Sequence, residues 1–316
     1  MSSHSVMAGM VLYNSDYNRL VECLKALDNQ VEIIVIYDNS PQEMETEVQE
    51  YLNSHFKCEY IFSGKNIGMP EAMNKILEIG DQKGFKWVLT MNADSVAPLD
   101  LVNKFSQYFE QQDIGMICPQ VIDRRRKYMT VKKNAPNRFT SMCITSGACT
   151  RIEAWKQVGK FDGWLFVDLL DNDISKRMIL NKWKIYQVGS VILDQEFGDI
   201  QAKAKWKEVF WLGVGKILKN ENLAKFSYKK IVHANRVYYT CRNIVYLNKK
   251  YEKYGGIGYE ENYNCHTFFG FVICFVLPSI LRADKKREVI KAVWKGFAEG
   301  RNKVKKTVPW KANPIA

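Results

Sequence analysis

Residues 86–95, KWVLTMNADS, decide the fold, because a mostly apolar run there stops abruptly at polar residues. Three earlier runs, VMAGMVLY, EIIVIY and CEYIF, behave in the same way. The polar residues that follow the four runs are, in chain order, Tyr13 with Asn14, Asp38-Asn39-Ser40, Ser63 with Asn66 nearby, and Asn92-Ala93-Asp94-Ser95. Short apolar runs bounded by polar turn residues are typical of buried strands.

The segments between these runs have the periodicity of amphipathic helices. The apolar positions are Leu20, Cys23, Leu24 and Leu27 in the first segment, Met73, Ile76, Leu77 and Ile79 in the second, and Leu99, Val102, Phe105 and Phe109 in the third, which Pro98 opens. The run IGMICP then predicts a further strand that ends at Pro119. Alternation of strand and helix predicts an α/β fold with a mostly parallel central sheet flanked by helices. Ligands of such sheets bind outside the carboxyl ends of the strands.

The composition indicates which partners and which cellular compartment fit the protein. The chain has 316 residues and a formal net charge of +12, and residues 282–306 contain ten Lys or Arg against three Asp or Glu. This basic excess indicates an anionic partner such as a membrane or nucleic acid, or simply a solvated basic face. The eight cysteines form no CxxC pair and no zinc-type cluster with histidine. With no secretory signal visible at the N-terminus, we expect a reducing, cytoplasmic compartment.

Two C-terminal segments bear on membrane association. Residues 266–281, HTFFGFVICFVLPSIL, are apolar but shorter than a membrane span, and Pro278 interrupts them. They predict either a buried core helix or a membrane-dipping segment. Further on, Ile290, Val293, Trp294 and Phe297 have helical spacing among many basic residues. That pattern predicts an interfacial amphipathic helix on anionic lipid, or a helix packed on the catalytic domain with a basic outer face.

Three polar groups carry candidate chemistry, and each has a plainer structural alternative. Asp38 at a strand end could bind a base or ribose, although Asp-Asn-Ser is also a turn sequence. The loop at Asn66 and Gly68, which enters a helix, would let a diphosphate approach the backbone, or would merely cap that helix. Asp94 offers a hard oxygen ligand to Mg²⁺ or Mn²⁺, or forms an Asx turn.

A fourth group is acidic. Asp168, Asp171 and Asp173 stand within six residues, followed by Arg177. Carboxylates confined together raise one another's pKa, and one of them could act as a general base toward a hydroxyl. The alternative is an Asp-rich helix N-terminus that the helix dipole stabilises.

Taken together, the order of these motifs resembles the family 2 glycosyltransferases of the GT-A fold, especially rhamnosyltransferase-like and galactofuranosyltransferase-like bacterial members. The resemblance spans about residues 6–250. The matching positions are Tyr13-Asn14, Asp38-Asn39-Ser40, Asn66 with Gly68, Ala72 and Asn74, Ser146-Gly147, Asp168 with Asp171, Asp173 and Arg177, and Tyr238-Tyr239 with Arg242 and Asn243.

The resemblance implies an inverting transferase that moves a sugar from a nucleotide-diphosphate donor, with a Mg²⁺ or Mn²⁺ ion, to a glycan or lipid-linked acceptor. It implies a GT-A, Rossmann-like catalytic domain over residues 1–200, with a donor half to about residue 120 and an acceptor half after it. Residues 201–316 would form a helical, membrane-associating extension. The donor would be UDP-galactose, UDP-galactofuranose or dTDP-rhamnose, and the product a bacterial surface polysaccharide made at the inner face of the cell membrane.

The same resemblance assigns roles residue by residue. Asp171 would be the general base, Asp38 would hold the nucleotide base, and Asp94 would contact the metal or ribose. The remaining donor-binding residues would be Tyr13, Asn14, Asn39, Asn66, Gly68, Asn74, Asn92 and Arg242; the acceptor-binding residues Ser146, Gly147, Asp168 and Asp173; and the metal ligands Asp94 and Gln195.

Two departures from the family pattern concern the metal. The family's Asp-x-Asp is here Asn92-Ala93-Asp94, and Gln195 stands where a histidine is usual. Each change removes a stronger ligand, which predicts looser metal binding, use of Asp194 or Glu196 instead, or a metal-independent or inactive variant. The intact acidic stretch around Asp171 argues against inactivity.

Two other functions compete with this interpretation. A nucleotidyltransferase would need a Gly-rich, basic phosphate loop after the first strand, and residues 12–15, LYNS, contain none. A nucleic-acid-binding protein could use the basic tail, but no standard nucleic-acid module is present. We therefore expect no nucleic-acid partner, while the sequence leaves the oligomeric state open.

Overall fold

The computed structural model describes residues 5–219, 221–263 and 265–313, and the chain divides into two compact units. The first unit holds residues 5–121, 131–194 and 311–313. The second unit holds residues 122–130 and 195–310. The division at residues 194–195 lies close to the predicted domain boundary at residue 200, but the segment 122–130 joins the second unit.

The first unit is built on a sheet of nine strands, counted over the described residues. They are β1 (Val6–Leu12), β2 (Ile33–Asp38), β3 (Cys58–Phe62), β4 (Trp87–Asn92), β5 (Ser95–Val96), β6 (Ile114–Ile122), β7 (Arg138–Thr140), β8 (Ala148–Arg151) and β9 (Lys184–Gln195). The order is β3-β2-β1-β4-β8-β6-β9-β5, and β7 pairs with β9.

The sheet is mixed, so the prediction of a mostly parallel sheet is wrong. The pairs β1–β2, β2–β3 and β1–β4 are parallel, but β8 runs antiparallel to both β4 and β6, and β7 runs antiparallel to β9. Parallel neighbours need a crossover, and helices supply it in the first 92 residues. The link from β6 to β8 contains no helix, and an antiparallel arrangement does not require one.

Among its described residues, the first unit has six α-helices: α1 (Tyr17–Leu27), α2 (Thr46–His55), α3 (Met69–Gln82), α4 (Leu101–Ser106), α5 (Ile152–Gln157) and α6 (Leu170–Leu180). The predicted inner faces of α1 and α3 are confirmed, since Leu20, Leu24, Ile76 and Leu77 are fully buried. Asp16 caps α1 by accepting a hydrogen bond from the backbone N–H of Arg19. The helices therefore form as their periodicity predicts, by burying one apolar face against the sheet.

Two details of the sequence-based assignment are corrected. The predicted third helix begins only at Leu101, and Leu99 is 82% exposed and not part of the core. The strand β6 continues past Pro119 to Ile122. Proline is tolerated there because the pairing of β6 with β8 ends at Ile117, so the missing N–H costs no hydrogen bond to that neighbour.

The second unit is largely helical. Its helices are α7 (Lys205–Ile217), α8 (Glu221–Ala224), α9 (Ala234–Lys250), α10 (Tyr259–Tyr263), α11 (Phe268–Phe271), α12 (Leu277–Arg282) and α13 (Lys286–Val304). A π-helical turn, Val272–Val276, joins α11 to α12, and a short antiparallel pair, β10 (Ile200–Ala202) and β11 (Tyr228–Lys230), completes the unit. Within the described residues, no helix combines the length and apolar character that crossing a membrane requires.

The amphipathic helix predicted around Ile290 to Phe297 is α13, and it packs along α9. Val289 and Val293 are buried, and Gly296 permits the close approach, since a Cβ there would lie 2.5 Å from the carbonyl oxygen of Tyr238. Ile290 and Trp294 are exposed. The apolar stripe read from the sequence is therefore divided between the interface with α9 and the solvent-exposed surface.

The basic stretch that follows β6 begins with a buried acidic residue, Asp123. The Asp123 carboxylate accepts hydrogen bonds from Arg125, from Arg126 Nε at 3.0 Å and from the backbone N–H of Phe197 at 3.0 Å. Burial raises the pKa of this carboxyl, but hydrogen bonds from Arg125 and Phe197 outweigh it and lower the pKa to about 2. Asp123 thus ties residues 122–130 to the start of the helical unit.

This cluster makes a pH-dependent prediction. A carboxyl whose pKa falls from 3.8 to about 2 on folding stabilises the fold above pH ~4, and loses that contribution as pH falls toward 2. We expect Asp123→Asn to lower the free energy of unfolding by roughly 2 kcal/mol at pH 7, with the difference from wild type shrinking below pH ~4. Urea unfolding at pH 7 and pH 3 measures both values. A difference that is the same at both pH values would contradict the assignment.

Candidate functional site

Four parallel strands, β1 to β4, bring their carboxyl ends to one edge of the sheet. In register, Leu12 of β1 lies beside Asp38 of β2, and Val11 lies beside Asn92 of β4. Asn14, which has a positive φ of 48°, donates its backbone N–H to Ser40 Oγ at 2.9 Å. Tyr13 beside it is exposed. The edge that the sequence predicted from four apolar runs therefore exists, since Phe62 of β3 also lies beside Asp38 in register.

Asp38 is buried at this edge, with both carboxylate oxygens engaged. Oδ1 accepts from the backbone N–H of Ser40 at 2.8 Å, and Oδ2 accepts from the Tyr60 hydroxyl at 2.8 Å. Burial, helped by the Asp38 charge, raises the pKa of Tyr60, so its hydroxyl stays a donor at neutral pH. These contacts fix the orientation of the carboxylate that is predicted to hold the base.

Gly68 joins the donor side to the loop before α6. It has a φ of 86°, and a Cβ there would lie 2.8 Å from the Phe166 ring. Asn39 donates to the Gly68 carbonyl at 3.1 Å, and the exposed Asn66 accepts from the Gly68 N–H at 2.9 Å. The sequence suggested that this glycine admits a ligand, but in the structure the space beside it holds Phe166.

Asn74 forms part of the scaffold. It is buried in α3, and its Oδ1 accepts from Trp155 Nε1 at 3.1 Å and from the Phe161 N–H at 2.8 Å. Its Nδ2 donates to the Phe161 carbonyl at 3.0 Å. These bonds show that Asn74 contributes to the packing of α3 against α5, and its role in donor binding stays a prediction.

The end of β4 presents the residues predicted to hold a metal. Asn92 Oδ1 is buried, and it has no hydrogen-bond partner among the residues that the structure describes. Asp94 is half-buried, and its Oδ1 accepts from Ser95 Oγ at 2.9 Å. A buried carbonyl oxygen without a hydrogen-bond donor destabilises the folded protein unless a ligand or ion binds to that oxygen.

Helix α1 holds this turn in place through two residues that the sequence analysis missed. Arg19 Nη2 donates to the Asp94 carbonyl at 3.1 Å, and Cys23 Sγ donates to the Ser95 carbonyl at 2.9 Å. Burial raises the pKa of the Cys23 thiol to about 12, so it remains a protonated donor. The position of Arg19 in the first turn after β1 was the available signal, since that turn faces the strand-end edge.

Asp171 lies in the first turn of α6 and is half-buried. Its Oδ1 accepts from the Thr145 backbone N–H at 2.9 Å and from Thr145 Oγ1 at 2.7 Å. Two donors from a single residue fix the direction of the carboxylate. Thr145 was not among the predicted site residues, although it directly precedes the predicted Ser146-Gly147 motif.

Ser146 connects the same turn to the end of β4. Its Oγ accepts from the Asn92 N–H at 3.0 Å and donates to Ser95 Oγ at 2.9 Å, and the side chain is fully buried. The Gly147 N–H donates to the Thr90 carbonyl at 2.7 Å. Both residues are buried, and their hydrogen bonds hold this turn against β4, while their contact with the acceptor stays a prediction.

The loop before α6 has an unusual backbone. Phe166, Asp168 and Leu169 have φ values of 62°, 64° and 61°, the left-handed region that residues other than glycine rarely adopt. Three such residues within four positions store strain that the surrounding contacts must offset. Asp168, half-buried in this loop, stays a predicted acceptor-binding residue.

Asp173 and Arg177 form a buried ion pair within α6. Asp173 is fully buried, and its Oδ2 accepts from Arg177 Nε at 3.1 Å. Arg177 Nη1 also donates to the Val158 carbonyl at 2.6 Å. The buried ion pair with Arg177 fixes the orientation of Asp173, and its contact with the acceptor stays a prediction.

The second unit holds the remaining predicted residues. Gln195 ends β9, and its Oε1 is buried without a hydrogen-bond partner in the described part of the chain. Arg242 is buried in α9, where its guanidinium stacks on the Tyr239 ring at 4.7 Å and lies 3.5 Å from Glu299. Glu196, considered as a substitute metal ligand, pairs with Arg125 at 2.8 Å. The metal role of Gln195 and the donor role of Arg242 stay predictions.

The residues at the β4 end suit a hard cation with few protein ligands. Across residues 5–219, 221–263 and 265–313, no group of three His, Cys, Asp or Glu side chains is placed to hold a metal. Asp94 supplies one carboxylate, and the unpartnered Asn92 Oδ1 supplies a neutral oxygen. Mg²⁺ and Mn²⁺ favour such oxygen ligands, and Mg²⁺ commonly combines one or two carboxylates with phosphate oxygens of a bound substrate. The donor set therefore fits a cation that a diphosphate helps to hold.

Residues 8–157 match the family model described as glycosyl transferase family 2. The chain carries a family 2 glycosyltransferase domain. A curated relative of the chain, the dTDP-rhamnosyl transferase RfbF of Shigella flexneri, is 22% identical over 214 residues, which cover 63% of this chain and 71% of RfbF. The prediction of a rhamnosyltransferase-like family member is confirmed.

Solved structures of glycosyltransferases share the fold. The mannosyltransferase PcManGT from Pyrobaculum calidifontis, solved with GDP-Man and Mn²⁺, has a TM-score of 0.50 at 11% identity, over 95% of this chain and 78% of that one. GalNAc-T7, solved with UDP, GalNAc and Mn²⁺, has a TM-score of 0.50 at 12% identity, over 61% of this chain and 43% of that one. These similarities support the predicted GT-A-like α/β fold for this chain.

Proposed function

We propose that the protein is an inverting glycosyltransferase in bacterial surface polysaccharide biosynthesis. It would transfer rhamnose from dTDP-rhamnose to a glycan or lipid-linked acceptor at the inner face of the cell membrane. RfbF, the curated relative, uses a dTDP-rhamnosyl donor by its name, and this favours rhamnose over the galactose and galactofuranose donors that the sequence left open.

One observation carries the proposal. Two adjacent residues of a single turn, Thr145 and Ser146, form hydrogen bonds to the candidate base and to the end of β4, respectively. Thr145 donates twice to Asp171, and Ser146 accepts from Asn92 and donates to Ser95. Neighbouring residues along a chain have Cα atoms only ~3.8 Å apart, so this turn couples the two halves of the site closely. A base so placed could reach an acceptor hydroxyl beside a donor bound at the strand ends.

The proposed reaction is a direct displacement. The Asp171 carboxylate takes the proton of the acceptor hydroxyl as that oxygen attacks the anomeric carbon, and the bond from this carbon to the diphosphate oxygen breaks. The nucleoside diphosphate leaves with the electron pair, and attack from the opposite side inverts the anomeric configuration. The orientation of Asp171 by Thr145 reduces the reorganisation that this proton transfer would need.

Asn92 and Asp94 would hold the Mg²⁺ or Mn²⁺ ion together with the donor diphosphate. When bound, the cation would offset negative charge on the leaving diphosphate. With one carboxylate in place of two, the protein alone would hold the metal weakly, so metal and donor should bind cooperatively. Asp38, whose orientation Tyr60 and Ser40 fix, would recognise the nucleotide base.

A thermal-shift panel tests the function. The protein is heated with dTDP-rhamnose, UDP-galactose or UDP-galactofuranose, each with and without Mn²⁺. A donor that binds only the folded state stabilises it by about 2.7 kcal/mol at one hundred times its Kd. We expect dTDP-rhamnose with Mn²⁺ to give the largest shift, and Asn92→Asp to increase the shift that Mn²⁺ alone produces.

Hydrolysis of the same sugar nucleotides provides the second readout, because it requires no acceptor. The proposed donor is wrong if another sugar nucleotide gives the larger shift and the faster hydrolysis. The glycosyltransferase assignment itself fails if folded protein neither binds nor hydrolyses any sugar nucleotide of the panel.

A further inference from the structure

The segment between residues 266 and 281, which the sequence left as either core or membrane-dipping, is neither fully buried nor long enough to span a bilayer. It folds into α11, the π-helical turn and α12, a continuous helical stretch from Phe268 to Arg282. One face packs inward, with Phe271, Val276 and Ser279 buried. The outer face is apolar, and its residues are Phe269, Ile273, Leu277 and Leu281, all exposed.

These four side chains recur every four residues, so they share one side of the helical stretch. Phe269 is 72% exposed and Leu281 is 63% exposed. Large apolar side chains exposed singly are ordinary, but four in a row along a helix form a contiguous patch. We name the four residues the outer stripe.

Charge indicates what covers this patch. Residues 268–281 contain no charged side chain, whereas residues 282–295 contain six basic and two acidic ones. The basic residues Arg282, Lys285, Lys286, Arg287 and Lys291 are all exposed. An apolar helix face followed directly by exposed cations is the composition of a segment that lies in the interface of an anionic bilayer.

We propose that the outer stripe inserts shallowly into an anionic membrane surface, while residues 282–291 contact lipid headgroups. The apolar side chains would enter the boundary between headgroups and acyl chains, and the cations would remain in the headgroup layer. This assignment does not depend on the glycosyltransferase reaction, because it involves none of the residues proposed to bind donor or acceptor. It identifies one surface of the second unit as the membrane-binding face.

Sedimentation with lipid vesicles tests the proposal on the full chain. The vesicles are phosphatidylcholine alone, or phosphatidylcholine with about one third phosphatidylglycerol, which supplies the anionic surface. We expect at least ~10-fold stronger partition onto the anionic vesicles. The double variant Phe269→Ser with Leu277→Ser should lose about tenfold or more, because it removes two inserted side chains.

Two further variants make the result specific. Lys286→Glu with Arg287→Glu should also weaken partition about tenfold or more, and the loss should be smaller at high salt. Leu99→Ser removes an apolar side chain that is even more exposed but lies on the first unit, and it should leave partition unchanged. Melting temperatures of all variants should match wild type, since each replaced side chain is exposed.

Two outcomes would overturn the proposal. The first is equal partition of wild type and the Phe269→Ser/Leu277→Ser variant. The second is a wild-type dimer in solution that this variant converts to a monomer without any vesicle binding, because a second copy of the chain would then cover the outer stripe. Size-exclusion chromatography with light scattering, run on the same preparations, distinguishes these cases.

Discussion

Asp171→Asn should strongly reduce the rate of sugar transfer while leaving the fold intact. General-base catalysis contributes about 10²–10⁴ in rate, and an amide cannot accept the proton that the carboxylate takes. The asparagine Oδ1 can still accept both hydrogen bonds from Thr145, so the turn that links the two halves of the site should survive. We expect kcat to fall by about 10²–10⁴ and the melting temperature to stay close to wild type.

Steady-state kinetics with the donor identified by the thermal-shift panel measures this loss, and donor-induced stabilisation checks that binding remains. Thr145→Val is the graded companion variant, since it removes the Oγ1 bond to Asp171 but keeps the backbone bond. It should lower kcat less than Asp171→Asn does, with KM for the donor little changed. Near-normal kcat in Asp171→Asn would show that another group is the base.

The strand-end residues were predictable because the signals that place them are local. Apolar runs and helical periodicity located β1, β2 and β4, and parallel pairing then brought Asp38 and Asn92 to one edge. The acidic stretch was also visible in the sequence, but its separate roles were not. Asp171 and Asp173 are two residues apart in one helix, but their environments differ. Asp171 is half-buried and accepts a hydrogen bond from Thr145, whereas Asp173 is fully buried and paired with Arg177.

The remaining features depend on contacts between residues distant along the chain. Asn74 is held by Trp155 and Phe161, more than 80 residues away, so its motif position could not reveal a scaffold role. Position 68 must be glycine because the Phe166 ring lies against it, so that a Cβ would clash. The conformation of the loop before α6 places that ring there, and hydrophobic periodicity does not predict the conformation of this loop. On α13, the spacing of apolar residues predicted a single apolar face. In the structure, α9 packs against only part of that face, so Val293 is buried and Trp294 is exposed.

Arg177→Met should cause the largest loss of stability of any single change considered for this chain. The variant leaves Asp173 charged, fully buried and without its ionic partner. It also removes the hydrogen bonds that Arg177 Nη1 donates to the Val158 and Lys160 carbonyls, at 2.6 and 2.5 Å. Removing one partner of a buried ion pair lowers the free energy of unfolding by about 3–5 kcal/mol. For a chain of this size, that loss lowers the melting temperature by on the order of 10 °C.

Lys156→Met is the matched control, because Lys156 pairs with Asp81 at 2.6 Å on the exposed surface of the same unit. Surface pairs contribute about 0–1 kcal/mol, so this variant should melt within a few degrees of wild type. Replacing both partners, Asp173→Leu with Arg177→Met, should recover part of the loss, since no buried charge remains uncompensated. If Arg177→Met and Lys156→Met melted at the same temperature, the Asp173–Arg177 pair would contribute no more than a surface pair.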